Sequence, residues 1–200
     1  MRPTDVATTI LAAVERRGVL LVHDRTLPSV TSLVTGGPVA GSWWAHPQAN
    51  DIYNALVDLE GRGVLASVKL IVGKETLVAR RLWPHVVAIG SAREAWQLHG
   101  LGDAPLALLG TVERSEHPVA IDRTMTDHAR LLERRLLAHG TSVHTPDGTH
   151  RKALTTWVAW AVERNLAPVG PSAALAREEL AAIVASYAVG GRRSLLPWPQ

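Results

Sequence analysis

The segment from Gly41 to His85 constrains the fold of this chain more than any other segment. Apolar residues recur at helical spacing over 49–59, and a Gly-Arg-Gly triplet stops that pattern. Two β-type runs fill 64–81 and meet at Gly73-Lys74. We therefore predict an amphipathic helix followed directly by a two-stranded antiparallel hairpin. That order is typical of a winged-helix-like module.

The centre of this hairpin predicts its register. A glycine at the first of two loop positions favours a type II′ turn, so Gly73 and Lys74 predict a two-residue loop. The resulting register pairs Val72 with Glu75, Ile71 with Thr76, Leu70 with Leu77 and Lys69 with Val78. Side chains alternate between the two faces of a strand. Lys69 and Arg80 are then expected on one half-exposed face, with Lys74 at the tip.

Helical patterns and a second small hairpin are also indicated in the rest of the chain. The second hairpin is predicted over 142–152. We expect an α+β fold, mainly helical, with winged-helix-like helices and one or two small antiparallel hairpins. The length fits one compact domain over 1–200. Within it, 1–90 is predicted to be a winged-helix-like subdomain and 91–200 a helical subdomain with the small hairpin.

The composition limits the chemistry that the chain can carry. Hydrophobic residues make up 46%, enough for a core, and there is no cysteine for a disulfide, a thiolate zinc site or a nucleophile. No nucleotide-binding or zinc-protease motif occurs, so we expect neither a cofactor nor a metal ion. The chain begins with no signal peptide, and no stretch approaches the ~20 apolar residues that span a bilayer. We expect a cytoplasmic protein without a membrane partner.

Aromatic and basic side chains in the opening segment favour a nucleic-acid partner. Trp43 and Trp44 are adjacent, so on an extended segment they would point to opposite sides. One is expected in the core, and the other on the surface as a stacking platform for an unstacked base. Lys74, Arg80 and Arg81 suit contacts with DNA phosphates. The net charge of +3 is too small to decide the question.

Three residues of this segment are candidates for catalysis. Lys69 is one of only three lysines, and a lysine among apolar and cationic neighbours can attack an aldehyde through a Schiff base. The alternative is a plain phosphate contact. His46 precedes a helix and could act as a general acid or base, or could simply cap that helix. Asp51 could orient His46 or activate water, although acidic residues are common in a first helical turn.

A pair of histidines lies in the second hairpin. His144 and His150 flank Pro146-Asp147-Gly148, so closing a turn there would bring the two residues near each other. Such a pair could bind a phosphate of the nucleic acid. Two histidines at this spacing match no standard zinc motif, and no third ligand is evident. We therefore predict a nucleic-acid contact and no metal site.

Three strings of the sequence resemble those of an uncharacterised bacterial family. The strings are G-S-W-W-A-H-P, K-L-I-V-G-K-E-T-L-V-A-R-R-L-W-P and H-T-P-D-G-T-H, and the resemblance extends over most of the chain. The general pattern is similar to winged-helix DNA-binding proteins, a class that includes some bacterial base-excision glycosylases. The resemblance implies a DNA partner and a DNA-glycosylase-like activity.

These observations favour a DNA-repair enzyme, the first of three functions that we consider. The first is a DNA-repair enzyme that acts on damaged or distorted duplex, by N-glycosidic hydrolysis of a damaged base or by Schiff-base lyase chemistry at an abasic site. The second is a non-catalytic winged-helix regulator in which helix 49–59 reads a DNA groove, although Asp51, Asp58 and Glu60 would repel phosphates. The third is a protein-interaction module with exposed tryptophans as hot spots.

Overall fold

The computed structural model describes residues 3–144, 150–167, 169–187 and 195–199. They confirm the predicted fold class, because they form an α+β and mainly helical structure with two small antiparallel sheets. The chain divides into two compact units. The first unit comprises Met1–Trp83 and Glu178–Leu196, and the second comprises Pro84–Arg177 and Pro197–Gln200. No helix in the described ranges is long and apolar enough to cross a bilayer.

Three helices and a three-stranded sheet build the N-terminal part of the first unit. In chain order the elements are α1 (Pro3–Arg17), β1 (Val19–Leu21), α2 (Val30–Thr35), α3 (Ala49–Gly61), β2 (Leu65–Lys69) and β3 (Glu75–Ala79). The first strand lies beside the last, so the strand order is β1-β3-β2. Helix α3 comes directly before the β2–β3 hairpin, in the order that the sequence predicts.

Local sequence signals begin and end these elements. Ser29 caps α2, because its hydroxyl accepts from the Ser32 amide while the Ser32 hydroxyl accepts from the Ser29 amide. Gly18 follows α1 with φ +82°, a conformation that glycine adopts without strain. The helices bury one apolar stripe each against the sheet. The core includes Val6, Ile10, Val14, Leu20, Val30, Ile52, Leu59, Leu65 and Leu77.

The first hairpin is present, but its predicted register is wrong. Lys69 lies opposite Glu75 and not opposite Val78, and residues 70–74 connect the strands in place of a two-residue loop. A 3-10 turn occupies this connection, and Val72 within it has a left-handed φ of +46°. The cause is burial: Ile71 is fully buried, and its amide donates to the Thr76 hydroxyl at 3.1 Å. The loop therefore folds back onto the core.

The remaining elements belong to the second unit, with two exceptions: Trp83 of α4, and α9 from Glu178 onward, belong to the first unit. They are α4 (Trp83–Ser91), α5 (Ala95–Leu98), α6 (Asp103–Arg114), β4 (Val119–Ala120), α7 (Thr126–Arg134), β5 (His139–His144), β6 (His150–Thr155), α8 (Trp157–Glu163) and α9 (Ala173–Ala185). The predicted second hairpin is confirmed as β5 and β6, and β4 adds a third strand in the order β4-β6-β5.

The second unit repeats the element order of the first, except that nothing in it corresponds to α2. Helix α6, strand β4, helix α7 and the β5–β6 hairpin follow one another, and the first strand again lies beside the last. The faces of α6 and α7 pack with the sheet around Leu108, Leu109, Val112, Ile121, Ala129, Leu132 and Leu154. Helix α7 therefore occupies in the second unit the place that α3 occupies in the first.

Candidate nucleic-acid interface

An exposed aromatic cluster precedes and joins the start of α3. Trp43 and Trp44 lie in a 3-10 turn, where consecutive side chains are separated by roughly 120°. Their ring centroids are 4.3 Å apart, and the Trp44 ring lies 5.4 Å from the Tyr53 ring. Trp43 is half-buried against the core, whereas Trp44 is 56% exposed. The segment is a 3-10 turn and is not extended, so the two rings stack and do not point to opposite sides. The expected division is nevertheless confirmed, because Trp43 packs against the core and Trp44 lies on the surface.

His46 makes local hydrogen bonds in the turn that leads into α3, whose N-cap residue is Gln48. Its Nδ1 accepts a hydrogen bond from the Gln48 amide at 3.2 Å, and its carbonyl accepts from the Ala49 amide at 2.9 Å. Asp51 lies in the first turn of α3, where its negative charge interacts favourably with the helix dipole. Among the described residues no hydrogen bond joins Asp51 to His46. The two side chains therefore do not form an acid–base pair in this structure.

Lys69 lies in a different environment from the one the sequence predicts. It ends β2, and the residue directly across the ladder is Glu75, whose carboxylate also accepts from the Ser67 hydroxyl at 3.0 Å. Arg80 lies beyond the strand, in a 3-10 turn, and does not share a strand face with Lys69. The cationic neighbour on which the Schiff-base hypothesis depends is replaced by an acidic one.

Lys74 binds a buried carboxylate of its own unit. Its ammonium lies 2.7 Å from Asp24 Oδ2, and Asp24 is only 5% exposed. Burial alone would raise the pKa of Asp24. The hydrogen bonds from Lys74 and from the amides of Thr26 and Leu27 outweigh that effect and hold the pKa well below its usual 3.8. Lys74, which was predicted at the hairpin tip, therefore forms an ion pair with the buried Asp24.

The two arginines of the hairpin also bind groups within the first unit. Arg80 donates to the Gly63 carbonyl at 2.6 Å, and its guanidinium lies 5.1 Å from the Trp83 ring centre. Arg81 donates to the Glu15 carbonyl at 2.9 Å and approaches the Glu15 carboxylate at 3.4 Å. Both side chains hold the hairpin against neighbouring elements. They have a structural role that is separate from the predicted phosphate contacts.

The two helices that precede the hairpins differ in charge. On α3, Asp51, Asp58 and Glu60 are at least partly exposed, and the nearest arginine, Arg62, is paired with Asp58 at 3.1 Å. Phosphates would be repelled by such a face. This agrees with the acidic character noted in the sequence. It makes α3 a poor candidate for contact with the DNA backbone.

Helix α7 of the second unit presents arginines instead. Arg130 and Arg134 are exposed and lie one turn apart, on the side opposite to the buried Ala129 and Leu132. Arg123, just before the helix, is exposed as well. Arg130 is 3.2 Å from the exposed Asp127, a surface ion pair of small energetic value. A basic helix face therefore lies next to the second hairpin.

Sequence reasoning did not select this helix as a binding surface. Arginine is the default cation of the chain, because only Lys69, Lys74 and Lys152 are lysines among 21 basic residues. The number of arginines in a segment therefore does not indicate a binding surface. The spacing of Asp127, Arg130 and Arg134, which places them on one helical face opposite the leucines, could have identified it.

The backbone pairs the two histidines of the second hairpin. His144 lies directly opposite His150 at the far end of β5 and β6. The imidazoles and the Pro146-Asp147-Gly148 turn lie outside the described residues. In the part of the chain that the structure describes, no three His, Asp or Glu side chains form a group that could hold a metal ion.

Two buried ionisable groups, His139 of β5 and Glu133 of α7, lie beside the second hairpin. His139 packs against the rings of Trp157 and Trp160, with centroid distances of 5.1 and 5.0 Å. Burial, assisted by the positive charge of Arg164, lowers the pKa of His139 to about 3. Lys152 donates to the buried carboxylate of Glu133. These groups are structural, because both are enclosed by the second unit.

Comparisons with protein-family models, with curated proteins and with solved structures found no match to this chain. The geometry itself therefore carries the functional argument. It brings Trp43, Trp44 and Tyr53 into one cluster, gives Lys74, Arg80 and Arg81 partners within the first unit, and places exposed arginines on α7.

Proposed function

We propose that this chain is a non-catalytic winged-helix DNA-binding protein that contacts duplex DNA through α7 and the β5–β6 hairpin. The observation that carries the proposal is the exposed basic face of α7, with Arg130 and Arg134 one turn apart. A helix beside a hairpin matches the dimensions of a major groove, and arginines are suited to phosphates and to guanine edges.

The charge difference between α7 and α3 supports the second unit as the binding unit. Both helices precede a hairpin. The exposed face of α7 carries two arginines and one carboxylate, Asp127, whereas α3 carries three carboxylates and has one exposed arginine, Arg62, at its end. Electrostatic attraction to phosphates supplies most of the sequence-independent binding energy. We therefore assign the DNA contact to α7 and a supporting or separate role to the first unit.

The test is a salt titration of binding to a fluorescently labelled 20-base-pair duplex. Three phosphate contacts, from Arg123, Arg130 and Arg134, predict that log K falls with log salt at a slope of roughly −2.7. Between 50 and 200 mM KCl the affinity should then fall by roughly 40-fold. Binding that is absent at 50 mM KCl, or that is insensitive to salt, would overturn the proposal.

Repair of damaged DNA is a second candidate function, and one observation favours it. The exposed Trp44 ring, stacked on Trp43, offers a flat apolar face of the kind that receives an unstacked base. In this reading the first unit would hold a damaged site, and Lys69 would supply the amine for lyase chemistry.

Borohydride trapping on a duplex with an abasic site tests this second candidate. The repair function predicts a covalent adduct for the unaltered chain and its loss in Lys69→Arg, because a guanidinium keeps the charge but forms no Schiff base. An adduct that survives in Lys69→Arg would exclude Lys69 as the nucleophile. No adduct and no cleavage on duplexes with abasic or damaged bases would leave the non-catalytic proposal as the account of DNA binding.

A further inference from the structure

We propose that the second unit has a binding site for a small planar aromatic anion, separate from the DNA-contacting face. The site is an open groove of about 820 Å³, lined chiefly by Trp96, His99, Arg135, Pro197, Trp198 and Pro199. This volume lies within the range of small-molecule sites, which combine apolar walls with a few polar groups.

Two tryptophans give the groove its preference for flat rings. The centroids of Trp96 and Trp198 are 6.0 Å apart, and the ring planes are inclined at 59°. Trp198 is almost fully buried and forms the floor, whereas Trp96 is half-buried. The Trp96 N–H already donates to Glu94 Oε2 at 2.8 Å, so Trp96 would contact a ligand through the exposed part of its ring and not through this N–H. A planar aromatic ring packs best against such surfaces.

The charges that line the groove favour an anion. Arg135 and His99 are the two ionisable side chains among its lining residues, and both are basic types. The nearby Glu94 carboxylate does not line the groove, and it is bound by Arg177 at 3.0 Å and by Trp96. A guanidinium binds carboxylate or phosphate oxygens through paired hydrogen bonds. An acidic group on the aromatic ligand would therefore lie at Arg135.

Hydrogen bonds fix the two sides of the groove before any ligand arrives. Arg135 donates to the Trp96 carbonyl, and the fully buried Gln97 donates to the Arg135 carbonyl at 3.1 Å. Glu94 and Gln97 also form a capping box that begins α5. A site that is already ordered loses less entropy when it binds. Trp96 and Arg135 are thus held in a fixed relation for ring and acid recognition.

Equilibrium dialysis with 2-naphthoate tests the site directly. We expect 2-naphthoate to bind at least tenfold more tightly than the uncharged 2-naphthylmethanol and the non-aromatic cyclohexanecarboxylate, since each lacks one of the two recognised features. Adenosine monophosphate forms a further arm that distinguishes nucleotides from aromatic carboxylates. Tighter binding of the nucleotide would place the ligand among nucleotides within the same aromatic-anion class.

Matched variants locate the binding. Arg135→Gln should weaken 2-naphthoate about tenfold or more, while Arg134→Gln, which removes the same charge from the neighbouring exposed position, should not. Trp96→Leu should weaken it similarly, with Trp44→Leu as the control. Because Arg135 also supports the turn at Trp96, His99→Gln provides a milder second variant with an expected severalfold loss. Thermal melting of each variant confirms that it is folded.

Three outcomes would overturn the proposal. One is no binding of 2-naphthoate at a ligand concentration of about 1 mM, the weak end of specific binding. Another is equal binding of the uncharged analogue, which would make the groove a plain apolar surface. The last is unchanged binding in both folded Trp96→Leu and His99→Gln, which would place the ligand elsewhere. Because no DNA is used, failure here leaves the proposed DNA contact untouched.

Discussion

His139 links acid stability to the packing of the second unit. Its imidazole is 8% exposed and lies against Trp157 and Trp160, and burial lowers its pKa to about 3. An unfolded chain would return this pKa to about 6.5. The unfolded state therefore binds the proton more readily. The stabilisation is complete above pH 6.5 and is lost as the pH falls toward 3.

We expect the free energy of unfolding to fall between pH 6.5 and 4.5, by up to about 1.4 kcal/mol per pH unit from this residue. Denaturant unfolding monitored by tryptophan fluorescence measures it. His139→Phe keeps a ring between the two tryptophans and removes the titration, so its slope should be smaller. Above pH 4.5 Asp24 contributes little, since its pKa lies below 3.8 in the folded chain. Equal slopes in both proteins would contradict the assignment.

Several residue types were predictable from the sequence, but their partners were not. The scarcity of lysine drew attention to Lys69, Lys74 and Lys152. Two of them turn out to bind buried carboxylates, Asp24 and Glu133, that lie 50 and 19 residues away in the chain. Nothing in the local pattern indicates such distant partners, because a long-range ion pair depends on how elements pack.

At the scale of single elements, Gly90 in α4 shows how closely a helix approaches the core of the second unit. A Cβ atom at Gly90 would lie 2.1 Å from the Trp157 ring, whose N–H donates to the Leu136 carbonyl at 2.7 Å. The indole cannot shift without losing that hydrogen bond. Glycine is therefore required here by space and not by backbone conformation.

Gly90→Ala should destabilise the chain by about 1–3 kcal/mol, the usual cost of overpacking a core. Gly61→Ala is the matched control, since Gly61 ends α3 and no atom lies within 4 Å of its added Cβ. That change should be neutral or stabilising by up to ~1 kcal/mol. Thermal and denaturant unfolding of the two variants measure both effects. Similar losses in the two would show that the Trp157 contact does not decide the outcome.

The helices and strands were more predictable than the turns that connect them. The apolar spacing correctly indicated α3, and β-branched runs indicated the strands of the first hairpin. The register was missed because Gly73-Lys74 resembles a two-residue turn, whereas burial of Ile71 imposes a longer connection. The stacked tryptophans were missed for a related reason, since Trp43–Ala45 forms a 3-10 turn. In the hairpin, tertiary burial outweighed a local signal, whereas at the tryptophans the sequence did not indicate that the segment is a 3-10 turn.

At the scale of the whole molecule, the repeated element order matters more than either hairpin alone. Each unit places a helix before a hairpin and pairs its first strand with its last. The sequence alone favoured the first unit as the DNA-binding part, because its tryptophans and lysines are conspicuous. The charges of the folded units favour the second unit as the one that binds DNA. Helix α7 exposes arginines, whereas the basic side chains Lys74, Arg80 and Arg81 bind groups within the first unit.

The most direct test compares two double variants that remove the same charge from different units. Arg130→Gln with Arg134→Gln alters α7, and Arg62→Gln with Lys69→Gln alters α3 and its hairpin, so each changes the net charge from +3 to +1. Duplex binding is measured for both by fluorescence anisotropy across 50–200 mM KCl.

For the α7 variant we expect the salt slope to decrease in magnitude by roughly 1.8, and the affinity at 50 mM KCl to fall tenfold or more. For the α3 variant we expect an affinity within about twofold of that of the unaltered chain. The reverse pattern, or equal small losses in both, would contradict the assignment of the DNA contact to the second unit.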